Sequence, residues 1–185
     1  MPETRLVLVE GESDRIAITC LAERLGRDLA AEGVEVVALG GATNLRGYLR
    51  ETLAGRSGLG VTGLYDVAEE RFVQGALTSV GLGPVTDRGR LEQLGFFACV
   101  ADLEDELLRA VGEQRMLEVL AEQGDLASFR RLQRQPAQRA WSQHRQLHRF
   151  LSARSGNKAR YARLLVEAMP LDAVPRPLGE LLHRT

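Results

Sequence analysis

The sequence predicts an α/β fold, in which helices flank a mostly parallel central sheet of about four strands and a helical C-terminal portion follows. Short apolar runs alternate with helical patterns over roughly the first hundred residues, and this alternation is typical of a doubly wound parallel sheet. After about residue 107 the patterns are helical and no strand is evident. We therefore expect an α/β core at residues 1–106, and at residues 107–185 a helical, basic extension that completes the same compact domain.

The first strand is predicted at residues 5–10, where an uninterrupted apolar run indicates a strand buried on both faces. Ser13 or Asp14 can cap the helix that follows. The apolar residues of this helix share one face at helical spacing, and they are Ile18, Leu21, Ala22, Leu25 and Leu29. Gly33 is expected to end the helix, because glycine is common just past a helix C-terminus.

The later elements are apolar runs bounded by glycine or by acidic residues. Three more strands are predicted at residues 34–39, 59–66 and 96–101. Between them the patterns predict helices at residues 44–53 and 69–77 and loops at residues 55–58 and 81–89. A last helix is predicted at about residues 158–169, and the prolines at residues 174–177 indicate a tail.

The formal net charge of −1 hides an uneven distribution of charge along the chain. Residues 1–125 hold 22 acidic and 12 basic residues, whereas residues 126–166 hold 10 basic residues and no acidic one. Such a basic segment suggests a polyanionic partner, and we expect contact with nucleic acid. The alternative is a solvated helical surface whose bias comes from composition alone.

The hydropathy of the sequence and its two cysteines indicate the cellular compartment of the protein. No apolar run approaches the roughly 18 residues of a membrane span, so we expect no membrane contact. Cys20 and Cys99 lie in apolar surroundings, where we expect reduced core residues and no disulfide. The N-terminus passes directly into a strand and lacks a signal-peptide pattern. These features predict a cytoplasmic protein.

Acidic residues follow three of the predicted strands at the point where each strand ends. They are Glu10, Asp66, and Asp102 together with Glu104. Because sites in open α/β sheets form in the crevice at the strand ends, we expect these side chains to converge. Packed like charges repel, and Mg²⁺ or Mn²⁺, which prefer carboxylate and water oxygens, resolve that conflict. Two such ions can stabilise the attacking and leaving oxygens of a phosphodiester.

The alternative for these acids is a structural one. Acidic residues near the start of a helix can cap its N-terminus, where negative charge is mildly favourable. We prefer this interpretation for Glu12, Asp105 and Glu106. For the strand-end residues Glu10, Asp66 and Asp102 we prefer metal binding.

Three motifs in this chain resemble those of a known family. Residues 8–14, Leu-Val-Glu-Gly-Glu-Ser-Asp, resemble the opening motif of Toprim domains, which occur in topoisomerases, primases and nucleases. Residues 102–107, Asp-Leu-Glu-Asp-Glu-Leu, and residues 155–158, Ser-Gly-Asn-Lys, resemble the Toprim nuclease domain of the overcoming-lysogenization-defect (OLD) family. The resemblance extends over about residues 5–166. It implies a Rossmann-like Toprim fold and a metal-dependent nuclease with two cation sites.

The resemblance also implies roles for individual residues. Glu10 and Asp14 would serve one cation together with Asp66, and Asp102 and Glu104 would serve the second. Lys158 would stabilise charge on the reacting phosphate, so that Glu10 and Lys158 are the expected catalytic residues.

One position departs from the family pattern. Toprim domains usually carry Asp-x-Asp at the third strand, whereas this chain has Ala68 in place of the second aspartate. Glu69 or Glu70, one turn onward, offers a carboxylate with a different geometry. The departure puts the affinity of the first cation site in question.

Lys158 is the only lysine among 24 basic residues. Arginine offers a planar fork, whereas the compact ammonium of lysine can approach a single oxygen. This property suits charge that develops on a phosphate in a transition state. The alternative is accident, because one lysine must fall somewhere.

The basic segment carries arginines that could neutralise backbone phosphates without reading the nucleic-acid sequence. The candidates are Arg130, Arg131, Arg134, Arg145, Arg149, Arg154 and Arg160. The interleaved Phe129, Trp141 and Phe150 could stack on bases, but we prefer core packing for them. His144 and His148 share a helical face at a spacing that can bind zinc. Without the glutamate of a metalloprotease motif that signal is weak, and we prefer a polar, phosphate-facing surface.

Together these features predict divalent-metal-dependent hydrolysis of DNA phosphodiester bonds. The alternatives are a non-catalytic nucleic-acid-binding or regulatory Toprim module, and an RNA-processing Toprim nuclease. No Walker A motif is present, and the glycine-rich residues 58–63 precede a strand instead of following one, so the dinucleotide interpretation fails. Because OLD proteins normally pair this domain with an ATPase domain, any ATP control is expected to come from a separate ATPase partner or to be absent.

Overall fold

The computed structural model describes residues 4–54, 59–153 and 156–185. Its centre is a sheet of four parallel strands in the order β2-β1-β3-β4. The strands are β1 (Arg5–Val9), β2 (Val34–Ala38), β3 (Gly60–Asp66) and β4 (Phe96–Cys99). The α/β fold class predicted from the sequence is confirmed, and the predicted loop at residues 55–58 lies outside the described residues.

Helices cover both faces of the sheet. In the described residues they are α1 (Glu12–Arg24), α2 (Leu45–Leu53), α3 (Glu70–Ser79), α4 (Arg88–Gln93), α5 (Leu103–Val111), α6 (Glu113–Glu122), α7 (Leu126–Gln133), α8 (Gln143–Ser152), α9 (Asn157–Ala168) and α10 (Arg176–Arg184). Short 3₁₀ turns lie at Ala42–Asn44, Val67–Glu69 and Leu171–Ala173. No helix in this described part of the chain is long and apolar enough to span a membrane.

Alternate residues of β1 are buried in two different hydrophobic clusters. Val7 and Val9 pack with α1, α5 and the later helices on one face, while Leu6 and Leu8 pack with α2, α3 and α4 on the other. This double burial explains the continuous apolar run in the sequence. Gly63 of β3 allows close approach to β1, because a Cβ at this position would lie 2.6 Å from the carbonyl oxygen of Leu8.

The first helix is shorter than predicted, since α1 ends at Arg24 and the prediction placed its end at Gly33. Gly26, with φ of 76°, provides the left-handed turn that ends the helix. The Gly26 N–H donates to the Glu23 carbonyl and the Arg27 N–H to the Ala22 carbonyl, which is the Schellman pattern. Leu29 lies beyond the helix but is still buried, so its apolar character reflects tertiary packing.

Two helices were not predicted. The predicted loop at residues 81–89 runs into α4, which Asp87 caps by accepting a hydrogen bond from the Arg90 N–H at 2.8 Å. The predicted proline tail at residues 174–177 leads into α10, so α9 is not the last helix. The prolines do not oppose α10, because they lie before it and in its first turn, where no intrahelical N–H donor is needed.

Candidate metal centre at the carboxyl ends of the strands

A cleft of about 600 Å³ opens at the carboxyl edge of the sheet. The strand order reverses between β1 and β3, and this switch point is where open α/β sheets form their sites. The charged residues that line the cleft are Glu10, Glu12, Asp14, Asp66, Asp102 and Lys158. Five of the six predicted metal or catalytic residues therefore lie around one cavity, and the sixth, Glu104, contacts Lys158.

The acids reach the cleft from four different elements. Glu10 directly follows β1, and Asp66 is the last residue of β3. Asp14 lies in the first turn of α1, where its Oδ2 accepts a hydrogen bond from the Gly11 N–H at 2.8 Å. Asp102 caps α5, with its Oδ1 accepting from the Asp105 N–H at 2.8 Å. Parallel strands and the helices that follow them thus bring together residues far apart in the chain.

Burial and mutual repulsion perturb two of these carboxyl groups. Burial, opposed by the Gly11 N–H and reinforced by the charges of Glu104 and Glu10, raises the pKa of Asp14 to about 7. Burial, followed by the charges of Asp102, Glu10 and Asp14, raises the pKa of Asp66 to about 7. The cleft therefore holds more negative charge than its surroundings compensate.

Asp102 is held differently from the other acids. Its Oδ1 and Oδ2 lie 2.9 and 2.8 Å from Nε2 of His148 on α8. Burial alone would raise the pKa of Asp102, but the hydrogen bonds from His148 and from the Asp105 N–H, together with the charges of His148 and Lys158, outweigh it and lower the pKa. The hydrogen bond to Asp102 in turn raises the pKa of His148.

Lys158 enters the cleft from the first turn of α9, which follows Gly156 in a left-handed conformation. Its Nζ lies 3.3 Å from Oε1 of Glu104, which is an ion-pair distance. Glu104 is buried, with 3% exposure. Burial is the largest single influence and lowers the pKa of Lys158, but the charge and hydrogen bond of Glu104, together with the charges of Asp102 and Asp14, outweigh it and the net shift is upward. Lys158 is therefore a cation at neutral pH.

Ala68 lies exposed in the 3₁₀ turn after β3. Of the two glutamates that could replace the missing carboxylate, Glu70 is bound to Arg88, with Oε2 2.6 Å from Nη2. Burial and the charge of Glu10 raise the pKa of Glu69, which places Glu69 within the electrostatic reach of the cleft. Glu69 is thus the better substitute.

The donor chemistry of the cleft fits a hard divalent cation. Within residues 4–54, 59–153 and 156–185, no three His, Cys, Asp or Glu side chains are grouped closely enough to hold a metal ion as they stand. Mg²⁺, however, usually keeps several waters and binds through only one or two carboxylates. The open cleft leaves space for such waters, and a cation would relieve the repulsion that raises the pKa of Asp14 and Asp66.

Six of the seven predicted nucleic-acid-binding arginines lie in the described residues. Arg130, Arg131 and Arg134 are exposed at the end of α7, and Arg145 and Arg149 are exposed on α8. Arg160 is also exposed, but its guanidinium pairs with Asp125 at 2.8 Å. Arg154 lies outside the described residues, as does Ser155 of the Ser-Gly-Asn-Lys motif.

The aromatic residues of this segment mostly pack in the core. Phe129 and Phe150 are buried against each other with ring centroids 5.7 Å apart, as preferred from the sequence. Trp141 is half-buried, and the Arg145 guanidinium lies 3.7 Å from its ring centroid. The two histidines of α8 were not expected to pair with acids: His148 binds Asp102, and Nε2 of His144 lies 2.6 Å from Oδ1 of Asp105.

Comparisons with known proteins agree with this fold. Residues 4–58 match the family model described as overcoming lysogenization defect protein-like, TOPRIM domain. The structure is similar to the C-terminal region of the Xanthomonas campestris pv. campestris OLD protein, with a TM-score of 0.75 and 24% identity, over 98% of this chain and 91% of that one. It is also similar to the C-terminal region of the Burkholderia pseudomallei OLD protein, with a TM-score of 0.67 and 23% identity, over 97% and 95% of the two chains.

A comparison with proteins of curated function gives no match. The family model covers the first strand, its acidic motif and the second strand, and the structural similarity extends the shared fold over nearly the whole chain. The match over residues 4–58 and the shared fold confirm the resemblance of this chain to the Toprim domain of OLD proteins.

Proposed function

We propose that the chain hydrolyses phosphodiester bonds of DNA with the help of divalent cations. The observation that carries the proposal is the cleft, where Glu10, Asp14, Asp66 and Asp102 face a single lysine at the switch point of a Toprim fold. Toprim domains generally use divalent metals, and the kinship with OLD Toprim domains favours a nuclease.

The proposed mechanism assigns the acids to two cation sites. Glu10, Asp14 and Asp66 would hold one Mg²⁺ or Mn²⁺, and Asp102 with Glu104 would hold a second. Bound cations of this kind lower the pKa of a water nucleophile and stabilise charge on a phosphate. Asp14 and Asp66, whose pKa values are about 7, release their protons readily when they bind a cation near neutral pH.

Lys158 would act on the substrate. Its ammonium lines the cleft and is fixed on one side by Glu104. From this position it can donate a hydrogen bond to a phosphate oxygen and stabilise the charge that develops there. The pairing with Glu104 keeps Lys158 protonated and oriented before substrate binds.

The exposed arginines would bind the nucleic-acid backbone. Arg145 and Arg149 lie on α8, the same helix whose His148 contacts Asp102 at the cleft, and Arg130, Arg131 and Arg134 extend the basic surface on α7. Contacts of this kind fix the position of the duplex without reading its sequence and weaken as salt increases. Arg160 would contribute less, because its charge is compensated by Asp125; Arg154 remains a candidate.

Two other functions are alternatives to this one, and a specific observation favours the first. Ala68, in place of the second aspartate, favours a non-catalytic nucleic-acid-binding or regulatory module. An RNA-processing nuclease would use the same cleft and the same backbone contacts. If the wild-type protein binds DNA in a salt-sensitive way but does not cleave it, the non-catalytic module is supported. If it cleaves structured RNA but not DNA, the RNA-processing nuclease is supported.

We further propose an ATPase partner and a cytoplasmic location. The structures to which this chain is similar are C-terminal regions of OLD proteins, and the resemblance to that family implies an accompanying ATPase domain. An ATPase therefore would control this domain in the assembled protein. Cys20 and Cys99 are both buried and unpaired, as expected in a reducing compartment.

The test is plasmid nicking in the presence of Mg²⁺ or Mn²⁺. Wild type should nick the plasmid, while Glu10→Gln and Lys158→Ala should lose activity by at least about a hundredfold. Glu118→Gln, which alters an exposed acid on α6, is the matched control and should cleave like wild type. Equal cleavage by all four proteins would show a contaminating nuclease and reject the assignment.

A further inference from the structure

We propose that His148 is a positioning residue of the cleft, which holds the Asp102 carboxylate in the orientation needed to bind a cation. The inference rests on the proposed function, because it takes Asp102 to be a cation ligand. It concerns a histidine that lies outside the cleft and that none of the recognised motifs includes.

The contacts of Asp102 leave its carboxylate little freedom to rotate. Nε2 of His148 lies between the two oxygens, 2.9 Å from Oδ1 and 2.8 Å from Oδ2. The Asp105 N–H donates to Oδ1 at 2.8 Å and fixes the plane of the carboxylate from the helix side. Because a carboxylate offers about four lone-pair sites, Asp102 retains acceptor capacity toward the cleft that it lines.

A comparison of the two histidines of α8 distinguishes a positioning role for His148 from a role in helix packing alone. His148 pairs with Asp102 and His144 with Asp105, so that α8 and α5 are joined by two similar His–Asp contacts. Only Asp102 lines the cleft, whereas Asp105 binds Arg109 at 2.9 Å on the other side. The His144 contact can hold the helices together, but it cannot orient a residue of the cleft.

A carboxylate that binds a metal ion is expected to accept a hydrogen bond from a second residue that does not itself contact the metal. Ligating carboxylates are usually hydrogen-bonded by outer residues, and removal of such partners typically weakens metal binding by about 10–100-fold. His148 is well placed for this role, since its side chain is only partly exposed, at 30%, and packs between α8 and the start of α5. Without it, Asp102 would keep only its bond to the Asp105 N–H among the contacts described above.

The experiment measures Mn²⁺ binding by calorimetry, with no substrate and no assay of activity. His148→Met keeps the size of the side chain but removes the donor, and should weaken Mn²⁺ binding at one site by about tenfold or more. His148→Gln, whose amide N–H can replace Nε2–H, should recover most of the affinity. His144→Met is the matched control and should bind Mn²⁺ within about twofold of wild type.

The outcomes distinguish this inference from the proposed function. If wild type binds Mn²⁺ and His148→Met binds it equally well, or if His144→Met loses as much affinity as His148→Met, the positioning role is rejected while the metal site stands. If wild type binds no Mn²⁺, the proposed function is rejected and the inference with it. Circular dichroism of each variant checks that the helices are retained, and His148→Gln keeps the comparison valid should His148→Met unfold.

Discussion

At the scale of single residues, the cleft contains acidic side chains whose burial and mutual repulsion destabilise their charged forms. The surroundings of Asp14 and Asp66 raise the pKa of each to about 7, whereas neutral side chains at these positions would avoid the repulsion. Perturbed carboxyl groups of this kind are typical of functional sites, where repulsion is relieved by a ligand. The cost of this arrangement should be measurable in the metal-free protein.

Asp66→Asn should stabilise the metal-free protein at pH 8 and have no such effect near pH 4. The pKa of Asp66 is raised from 3.8 to about 7 on folding, so the native state binds the proton more tightly and loses stability as pH rises through that window. At pH 8 removal of the charge should gain about 1 kcal/mol or more. Urea unfolding in the presence of a chelator measures the difference, with Glu118→Gln as the control. A loss of stability at pH 8 would contradict the repulsion described for the cleft.

At the scale of secondary structure, the sequence patterns predicted the strands better than the helix ends. The strands were evident because each is a short apolar run buried by the sheet. The end of α1 was misplaced because Leu29, buried from a loop, continues the helical apolar spacing past Gly26. Helix α10 was missed because Pro175 and Pro177 suggested a tail, although Leu178, Leu181 and Leu182 are spaced for one buried helical face.

Two glycines should respond to alanine in opposite directions. Gly26, with φ of 76°, ends α1, and a Cβ there would meet nothing within 4 Å, so Gly26→Ala should cost about 1 kcal/mol through backbone strain alone. Gly47 lies exposed within α2 with equally open space, and Gly47→Ala should gain about 0.5–1 kcal/mol. Thermal or urea unfolding measures both. Equal changes in stability would contradict the helix end assigned at Gly26.

Part of the site could be predicted from the sequence pattern, and part of it depends on how the helices pack. Acids at the ends of parallel strands meet at one edge, so the cleft residues were predictable from the order of elements and the family motifs. The contact between His148 and Asp102 was not, because it joins residues 46 positions apart and depends on how α8 lies against α5. Ion pairing of Arg160 with Asp125 likewise depends on packing.

At the scale of the whole molecule, the sheet and the C-terminal helices share one hydrophobic cluster. Val7 and Val9 of β1 and Ile18 of α1 belong to the same buried cluster as Tyr161 and Leu165 of α9. Arg24 of α1 also donates hydrogen bonds to the carbonyls of Val166 and Met169. We therefore propose that residues 1–106 and 107–185 form one cooperative unit.

This unit should unfold in a single transition. Trp141 is the only tryptophan and lies in the helical part, so its fluorescence reports on that part alone, whereas far-ultraviolet circular dichroism reports on all helices and strands. The two probes should give coincident urea midpoints. A separate, earlier loss of tryptophan fluorescence would indicate that the helical part unfolds independently of the sheet.

The proposed function depends on whether the cleft binds divalent cations. The most direct measurement is anomalous diffraction from crystals of the wild-type protein grown with excess Mn²⁺ at pH 8, where Asp14 and Asp66 are ionised. We predict anomalous peaks within roughly 2.0–2.6 Å of carboxylate oxygens, between Glu10, Asp66 and Asp102. Absence of any peak in the cleft under saturating Mn²⁺ would contradict the proposed metal centre.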